Sequence, residues 1–267
     1  MTKLPVASSS EFAPFLDRLA DAASKAIMPH FRQGFAIDNK WETGFDPVTV
    51  ADRNGETAMR ALINETYPEH GILGEEHGPE NLDAEHVWVL DPIDGTRAFI
   101  TGLPTWGTLI GLRTRGTASL GMMVQPYIGE RFAGDCQAAW YHGPLGTRPL
   151  QTRPCAGLRE ATIFTTTPAL FTDGERGAFD RVEASVRLSR YGTDCYAYCM
   201  VAAGHGDAVI ESGLQAYDIV ALVPIIEGAG GVVTTWTGGS PCDGGQILAS
   251  GDPRLHETLL RELARQA

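Results

Sequence analysis

Apolar residues recur along the chain at two spacings, and each spacing predicts a different kind of element. Helical spacing begins after residues 8–11, a stretch typical of a capped helix start, and returns at Met59, Leu62 and Ile63. The short apolar run at residues 86–90 suits a buried strand better than a helix, because it is brief and rich in strand-forming residues. The apolar positions of the first helical pattern are Phe12, Phe15, Leu16, Leu19, Ala23 and Ile27. This first helix is therefore predicted to face a core.

Strand-like segments dominate residues 105–140. Apolar segments such as 108–112 and 120–124 alternate there with glycine-containing turns, which favours a large antiparallel sheet. The pattern changes after a stretch rich in proline and glycine at residues 143–157. A boundary is therefore expected in that stretch, near residue 150.

Strands and helices alternate in the rest of the chain. Strand-like segments lie near 161–164 and 232–234, and a helical pattern covers 219–227. The predicted fold class is therefore α/β, with an N-terminal α+β lobe at 1–150 and a C-terminal α/β lobe at 151–267. These two parts form either one compact unit or two fused lobes.

Composition limits the classes of protein to be considered. The chain has 267 residues, of which 43% are hydrophobic, so it can bury a substantial core. A formal net charge of −12 argues against broad binding to nucleic acid or to an anionic membrane. An anionic substrate stays compatible with this charge, because bound cations reverse the local field. No apolar run approaches the roughly 18 residues of a membrane-spanning helix, and residues 1–5 lack a secretory apolar segment.

Cysteine and histidine usage narrows the chemistry further. The five cysteines are an odd number without a paired Cys-x-x-Cys motif, which fits a reducing cytoplasm. Cys195 and Cys199 are one helical turn apart and could touch a metal, although buried packing is the favoured interpretation. The seven histidines lack a His-Glu-x-x-His motif, and no serine nucleophile elbow or nucleotide-binding glycine loop is present.

Two carboxylates follow the predicted strand at 86–90. Asp91 and Asp94 would repel each other there unless cations separated them, and hard divalent ions with oxygen ligands meet that need. Pro92 restricts the backbone and can expose the Ile93 carbonyl as a further ligand. Gly95 would allow a phosphoryl oxygen to approach the backbone closely. The alternative is that these residues form an ordinary turn, since Asp-Pro and Asp-Gly are common turn sequences.

Two neighbouring segments favour the site over the turn. Glu75 follows the apolar pair at residues 72–73, so a second predicted strand also ends in a carboxylate. Asp52 lies just before the helical pattern that contains Met59, where it could also be only a helix cap. Three acidic segments within one stretch of chain predict a site that binds several magnesium ions and a phosphate ester.

Four segments carry a resemblance to a known family: residues 46–52 (DPVTVAD), 74–76 (GEE), 88–96 (WVLDPIDGT) and 216–218 (AYD). In this order and spacing they resemble the inositol monophosphatase family of magnesium-dependent phosphatases, along nearly the whole chain. The resemblance implies a layered αβαβα architecture with the site between the two lobes, and a homodimer. Lys40 lies in a segment that the family uses near its site, but no role is assigned to this residue.

The resemblance also implies a set of metal ligands. Glu75, Asp91 and the carbonyl of Ile93 would hold one magnesium ion. A second ion would lie between Asp91, Asp94 and Asp218, and Glu75 would help to retain a third, more weakly bound ion. The implied cofactor is thus two or three Mg²⁺ ions in each site.

The same resemblance implies the catalytic residues. Asp52, Thr96 and Glu75 would act on the water that attacks phosphorus directly, without a phospho-enzyme, and Asp52 would fix the hydroxyl of Thr96. Gly95 and Thr96 would bind the phosphate.

Several positions resemble one branch of the family, the histidinol-phosphate phosphatases. Arg97-Ala98-Phe99 replaces the pattern of the inositol-cleaving members, and Tyr217 stands where they have tryptophan. Residues 100–108, 192–198 and 211–218 also resemble this branch.

Histidinol phosphate carries an ammonium group and an imidazole beside its phosphate, so carboxylates should favour it. Asp194 and Glu211 are the predicted substrate-binding residues, because charge-assisted hydrogen bonds to nitrogen are stronger than neutral ones. Asp194 could instead be a helix N-cap, and Glu211 a solvated strand end.

Three functions are therefore weighed from the sequence. The favoured function is hydrolysis of histidinol phosphate, a small phosphorylated metabolite, in histidine biosynthesis. The first alternative is hydrolysis of inositol 1-phosphate or another small phosphate ester. The second is a noncatalytic regulatory protein that binds a protein or structured RNA, which the retention of every expected acidic ligand disfavours.

Overall fold

In the computed structural model of the chain, the described residues are 12–33, 38–39 and 47–265, with 38–39 and 47–48 described by their backbone only. The predicted helix start at 8–11, and Lys40, lie outside this part. The α-helices of the described residues are α1 (Ala13–Ile27), α2 (Val50–Thr66), α3 (Thr96–Ile100), α4 (Asp173–Glu183), α5 (Asp194–Ala202), α6 (Ala216–Ile219), α7 (Leu222–Gly228) and α8 (Pro253–Ala264).

The strands of the described residues form three sheets, of which two are large. A two-stranded sheet pairs β1 with β2, an eight-stranded sheet has the order β10-β9-β8-β7-β6-β5-β3-β4, and a five-stranded sheet has the order β12-β11-β13-β15-β14. The strands are β1 (Asp38–Asn39), β2 (Pro47–Val48), β3 (Gly71–Gly74), β4 (Gly78–Glu80), β5 (His86–Asp94), β6 (Gly107–Thr114), β7 (Thr117–Gln125), β8 (Glu130–Gly134), β9 (Ala139–Gly143), β10 (Gly146–Pro149), β11 (Thr162–Thr165), β12 (Leu188–Tyr191), β13 (Ala208–Leu214), β14 (Val232–Thr235) and β15 (Gly245–Ser250).

Helices and sheets alternate in five layers. α1 and α2 cover one face of the eight-stranded sheet, and α5 and α7 pack between its other face and the five-stranded sheet. α4 and α8 cover the outer face of the five-stranded sheet. The predicted αβαβα fold is therefore confirmed. The two large sheets are built from residues on either side of position 150, while the division into lobes at 1–150 and 151–267 stays a prediction.

The strand β5 lies inside the eight-stranded sheet, between β6 and β3, and is buried on both faces. Trp88 and Leu90 face the layer of α1 and α2, whereas Val87 and Val89 face the central layer, as alternation along a strand requires. β5 pairs in parallel with β3 and antiparallel with β6. Glu75 directly follows β3 and Asp91 lies in the carboxyl-terminal part of β5, so both acids are at the same edge of the sheet. The strand predicted at 86–90 continues to Asp94, so Asp91 and Asp94 lie within it and do not follow it.

A row of glycines brings the central helices onto the eight-stranded sheet. Gly111, Gly121 and Gly134 lie side by side on β6, β7 and β8, because each is the register partner of the next. A Cβ on Gly121 would overlap the carbonyl oxygen of Ala221, and one on Gly134 would overlap that of Pro224. The absence of side chains in this row lets the chain from α6 to α7 lie directly on the sheet.

The structure confirms most predicted elements and corrects one of them. The apolar face of α1 is buried as predicted, and the segment 105–140 is antiparallel sheet. The predicted helix at 219–227 is instead two helices, α6 and α7, separated at Val220 and Ala221. Pro224 explains the interruption, since it lacks the N–H that would bond the carbonyl of residue 220 in a continuous helix. None of the described helices has the length and apolar character needed to cross a bilayer.

Candidate active site

Three carboxylates from distant parts of the chain meet at the end of β5. Asp91 and Asp94 come from β5 itself, and Asp218 comes from α6. One carboxylate oxygen of each lies within 4.8 Å of the others. The structure thus brings together the three residues expected to share a magnesium ion, and a set of hard oxygen donors at this spacing can hold a metal.

Local geometry fixes each of these carboxylates. Asp91 Oδ1 accepts the N–H of Ile93 at 3.0 Å, and Asp94 Oδ2 accepts the N–H of Cys195 at 2.6 Å. Asp218 is the third residue of α6, where its Oδ2 accepts the N–H of Gln215 at 2.6 Å in a capping box. A bulge between Asp91 and Asp94 turns both side chains toward the same point.

Glu75 joins this cluster from the turn after β3. Its N–H donates to the carbonyl of Leu90 at 3.2 Å, which ties the turn to β5 just before Asp91. The Glu75 carboxyl is also a hydrogen-bonding and electrostatic neighbour of Asp91. The predicted ligand Glu75 therefore reaches the same cluster as Asp91.

The cluster is too acidic to be stable in its ionised form without cations. Burial, followed by the charges of Glu75, Asp94 and Asp218, raises the pKa of the Asp91 carboxyl well above its ordinary value. Burial and then the charge of Asp194 raise the pKa of Asp94 to about 7, against the hydrogen bond from Cys195. Divalent cations would remove this repulsion and allow both groups to ionise.

A glycine in the left-handed conformation forms the turn after β5. Gly95 has φ +86, a left-handed conformation that favours glycine, and it directly precedes α3. The Thr96 hydroxyl donates to the carbonyl oxygen of Ile93 at 3.1 Å. The buried side chain of Ile93 is a hydrocarbon without donor atoms, so only the backbone carbonyl of this residue could serve as a ligand.

Asp52 is buried at the start of α2. Its Oδ2 accepts the N–H and the hydroxyl of Thr49 at 2.8 and 2.5 Å, so the helix-cap interpretation is correct for its present contacts. Burial raises the pKa of Asp52 to about 6, although the two bonds from Thr49 lower it. The predicted hydrogen bond between Asp52 and Thr96 is not among the contacts of the described residues. The charges of Glu75 and Glu76 nevertheless raise the pKa of Asp52, so Asp52 lies close to the acidic cluster.

Asp194 lies against the turn at Gly95. Its carboxylate is 3.2 Å from the position that a Cβ on Gly95 would take. Burial raises the pKa of Asp194 to about 6, against a hydrogen bond from Thr166 and the charge of Arg97, which lower it. The N-cap interpretation is wrong, because the N-cap of α5 is Thr193 and Asp194 is the first residue of the helix. Asp194 has φ +41, which is rare outside glycine but better tolerated by aspartate.

Glu211 is buried, so its interpretation as a solvated strand end is wrong. Only 4% of the residue is exposed, because β13 is covered by the central helices. Its Oε1 accepts the N–H and hydroxyl of Thr166 at 2.6 and 3.0 Å, and the Thr165 hydroxyl donates to Oε2 at 3.3 Å. Burial raises the pKa of Glu211 to about 8, and these bonds only partly oppose it.

Some residues near the site were not predicted from the sequence. Thr165 and Thr166 support Glu211, and the Tyr198 hydroxyl is buried among the described residues without a hydrogen-bond partner. Glu56 is fully buried on α2. A signal exists only for Glu56, which is spaced four residues from Asp52 and shares its helix face.

Comparisons with known proteins agree with this geometry. The model of the inositol monophosphatase family matches residues 8–267. The chloroplastic bifunctional phosphatase IMPL2 of Arabidopsis thaliana is 42% identical over 263 residues, which cover 94% of this chain and 75% of that protein. A histidinol-phosphatase of Chlorobaculum parvum is 30% identical over 244 residues, covering 91% of this chain and 92% of that protein.

A solved structure shows the same fold. The inositol monophosphatase from Zymomonas mobilis superposes with a TM-score of 0.85 and 40% identity, covering 96% of this chain and 100% of that chain. The family match extends over all four predicted motifs and over the three clustered carboxylates. The chain belongs to the inositol monophosphatase family of phosphatases.

Proposed function

We propose that this phosphatase hydrolyses L-histidinol phosphate to L-histidinol and phosphate, with magnesium as its cofactor. The observation that carries the proposal is the acidic side of the site, where Asp194 lies against Gly95 and next to Asp94. A leaving group that carries an ammonium would form an ion pair as well as hydrogen bonds with these carboxylates, whereas a leaving group of hydroxyls alone would form hydrogen bonds without an ion pair.

Glu211 would contribute to this acidic side through Thr166. The Thr166 N–H and hydroxyl bond Glu211, and Thr166 is also a hydrogen-bonding neighbour of Asp194. Glu211 would thereby hold the segment on which Asp194 rests. The name histidinol-phosphatase of the Chlorobaculum parvum relative supports this substrate.

The donor set fits magnesium. Asp91, Asp94 and Asp218, with Glu75 and the Ile93 carbonyl, offer only oxygen atoms, which are the ligands that magnesium prefers. When bound, two or three magnesium ions would lower the pKa of the attacking water and offset the charge of the phosphate. Burial of these carboxylates in mutual contact supports the assignment, because their charges need compensation.

The remaining roles belong to residues around the cluster. Asp52 and Thr96 would orient the attacking water. For this, the Thr96 hydroxyl would give up its hydrogen bond to the Ile93 carbonyl and take part in a hydrogen bond with the water. A carboxyl whose pKa is near 6 suits proton transfer near neutral pH, and Asp52 has such a pKa. The backbone at Gly95 would accept the close approach of a phosphoryl oxygen.

Comparative turnover tests the proposal. Phosphate release would be measured on histidinol phosphate, inositol 1-phosphate and glycerol phosphate, with magnesium and again after chelation. We expect the highest kcat/KM on histidinol phosphate and loss of all three activities with chelator. Equal efficiency on inositol 1-phosphate would favour the second candidate, which the name bifunctional phosphatase of the Arabidopsis relative makes worth testing. Release from none of the three esters would favour the regulatory alternative.

Asp194→Asn sharpens this test. Loss of one charge-assisted hydrogen bond costs about 1.5–3 kcal/mol, so kcat/KM on histidinol phosphate should fall by roughly 10- to 100-fold. The efficiency on inositol 1-phosphate should change much less. Asp173→Asn, the same substitution at an exposed position in the first turn of α4, is the matched control. An equal loss on both substrates in Asp194→Asn would contradict a role in substrate choice.

The homodimer and the cytoplasmic location implied above stay predictions. Analytical ultracentrifugation of the purified protein would test the homodimer, and a monomer at micromolar concentration would contradict it.

A further inference from the structure

Glu56 is a fully buried carboxylate outside the predicted set of ligands. It lies on α2, four residues after Asp52 and four before Arg60, so these three side chains share one face of the helix. The accessible fraction of Glu56 is 0%. Burying a carboxylate next to an acidic cluster costs desolvation free energy unless hydrogen bonds and an ion pair compensate for it.

Apart from its ion pair with Arg60 on the same helix, Glu56 contacts the turn that carries Glu75. Its Oε2 accepts the N–H of Glu76 at 2.6 Å, and its Oε1 accepts the N–H of His77 at 3.1 Å. These are the two residues that directly follow Glu75 between β3 and β4. A Cβ on Gly74, on the other side of Glu75, would overlap the Glu56 carboxylate. The turn therefore wraps closely around this one side chain.

Arg60 completes the attachment. Its Nε donates to Glu56 Oε1 at 2.6 Å and its Nη1 to Glu80 Oε1 at 2.8 Å, while its Nη2 donates to the carbonyl of Gly78. Both the start and the end of the turn are thus bonded to α2. The cation also offsets the buried charge of Glu56, so that the carboxylate can act as a strong acceptor.

This network fixes Glu75 relative to Asp52. α2 carries Asp52 at its N-terminus and holds the Glu75 turn one helical turn later, so a single rigid element determines both positions. Burying a charged pair is a weak way to stabilise a fold, because an apolar pair of similar volume does as well. What the Glu56–Arg60 pair adds is orientation, because Glu56 accepts two directed hydrogen bonds from the backbone of the turn.

We infer that Glu56 is a positioning residue that holds the Glu75 turn against Asp91 and thereby sets the affinity of the site for divalent cations. The inference rests on the proposed function only in taking Glu75 as a metal ligand. Partners that orient metal ligands typically contribute about 10- to 100-fold in metal affinity.

The test compares Glu56→Gln with Glu80→Gln. Glutamine keeps one acceptor oxygen but places an amide donor against a donor N–H, so one bond to the turn is lost. Glu80→Gln weakens the other end of the Arg60 network and leaves both bonds to the turn intact. Manganese binding would be measured by electron paramagnetic resonance and magnesium binding by calorimetry. We expect the Kd of Glu56→Gln to rise about 10- to 100-fold and that of Glu80→Gln to stay at the wild-type value.

A second variant guards against misfolding from an unpaired Arg60. The double variant Glu56→Gln, Arg60→Met removes both charges of the pair, and its Kd should also rise, with faster amide hydrogen exchange at Glu76 and His77. Wild-type affinity in either folded variant overturns the inference and leaves the proposed function standing. Metal binding without phosphate release overturns the proposed function alone. Failure of the wild-type protein to bind either cation overturns both.

Discussion

Hydrogen bonds from backbone N–H groups by themselves orient the carboxylates of the site. Ile93 donates to Asp91, Cys195 donates to Asp94, and Gln215 donates to Asp218. Each bond occupies one acceptor site of its carboxylate and so sets the direction of the remaining lone pairs. At the scale of single residues, the site is therefore oriented for cations by local turns and helix starts.

Glu211 provides a prediction on pH that is separate from the metal ligands. It faces Thr165 at the end of β11, Thr166 directly after that strand, and Asp194 and Tyr198 on α5. Its pKa is raised from 4.5 to about 8, so the folded protein keeps the proton of Glu211 over a range in which the unfolded chain has lost it. The stabilisation from Glu211 is present in full below about pH 4.5 and is lost as the pH rises through about 8.

Glu211→Gln should remove this dependence. Within the window, the free energy of unfolding of the wild type should fall relative to the variant by up to about 1.4 kcal/mol for each pH unit. Urea unfolding at pH 5, 6, 7 and 8 with chelator would measure the difference. Glu160→Gln, at an exposed position, is the control and should follow the wild type. A constant difference between Glu211→Gln and wild type across these pH values would show that Glu211 does not titrate there.

At the scale of elements, the start of α2 orients Asp52, the carboxylate proposed to act on the attacking water. The Thr49 side chain is buried and caps the helix by accepting the N–H of Ala51 at 3.1 Å, while its hydroxyl donates to Asp52 at 2.5 Å. The helix start and the orientation of Asp52 therefore depend on the same hydroxyl. Both bonds from Thr49 also hold down the pKa of Asp52 against burial.

Thr49→Ala should affect stability and the pH profile together. Loss of the cap costs about 1–2 kcal/mol in the free energy of unfolding. Loss of the hydroxyl bond should raise the pKa of Asp52 further, so the acid limb of the kcat profile should move to higher pH if Asp52 works in its ionised form. Thr49→Ser keeps the hydroxyl and should retain the wild-type profile. A less stable Thr49→Ala protein with an unshifted acid limb would argue against Asp52 as the base.

At the scale of the whole molecule, the sequence predicts the layers and the identity of the clustered acids better than their surroundings. The strand before Asp91 is predictable because its apolar run and its terminal acids are contiguous. Burial of Glu211 is not, because its partners Thr165 and Thr166 lie about 45 residues earlier in the chain and meet it only when β11 pairs with β13. The same holds for Glu56, whose partners lie about 20 residues later in the turn after β3.

Asp218 meets Asp91 because the glycine row lets α6 and α7 lie on the sheet. Ala221, whose carbonyl contacts Gly121, is three residues after Asp218, so the close approach at Gly121 determines how far Asp218 extends toward β5. Neither segment can move easily at this point, since the contact is between two backbones. The row therefore couples the packing of the two halves of the chain to the geometry of the site.

Gly121→Ala tests this coupling. The added methyl would overlap the Ala221 carbonyl, and overpacking of this kind costs about 1–3 kcal/mol in the free energy of unfolding. The displacement of α6 should also weaken magnesium binding, because Asp218 moves away from Asp91 and Asp94. Gly174→Ala, in α4 with open space at its Cβ position, should instead stabilise the protein by about 0.5–1 kcal/mol and leave magnesium binding unchanged. Calorimetric titration and urea unfolding of both variants would measure these effects. Loss of stability in Gly121→Ala with wild-type magnesium affinity would mean that Asp218 is positioned by α6 alone, without the sheet beneath it.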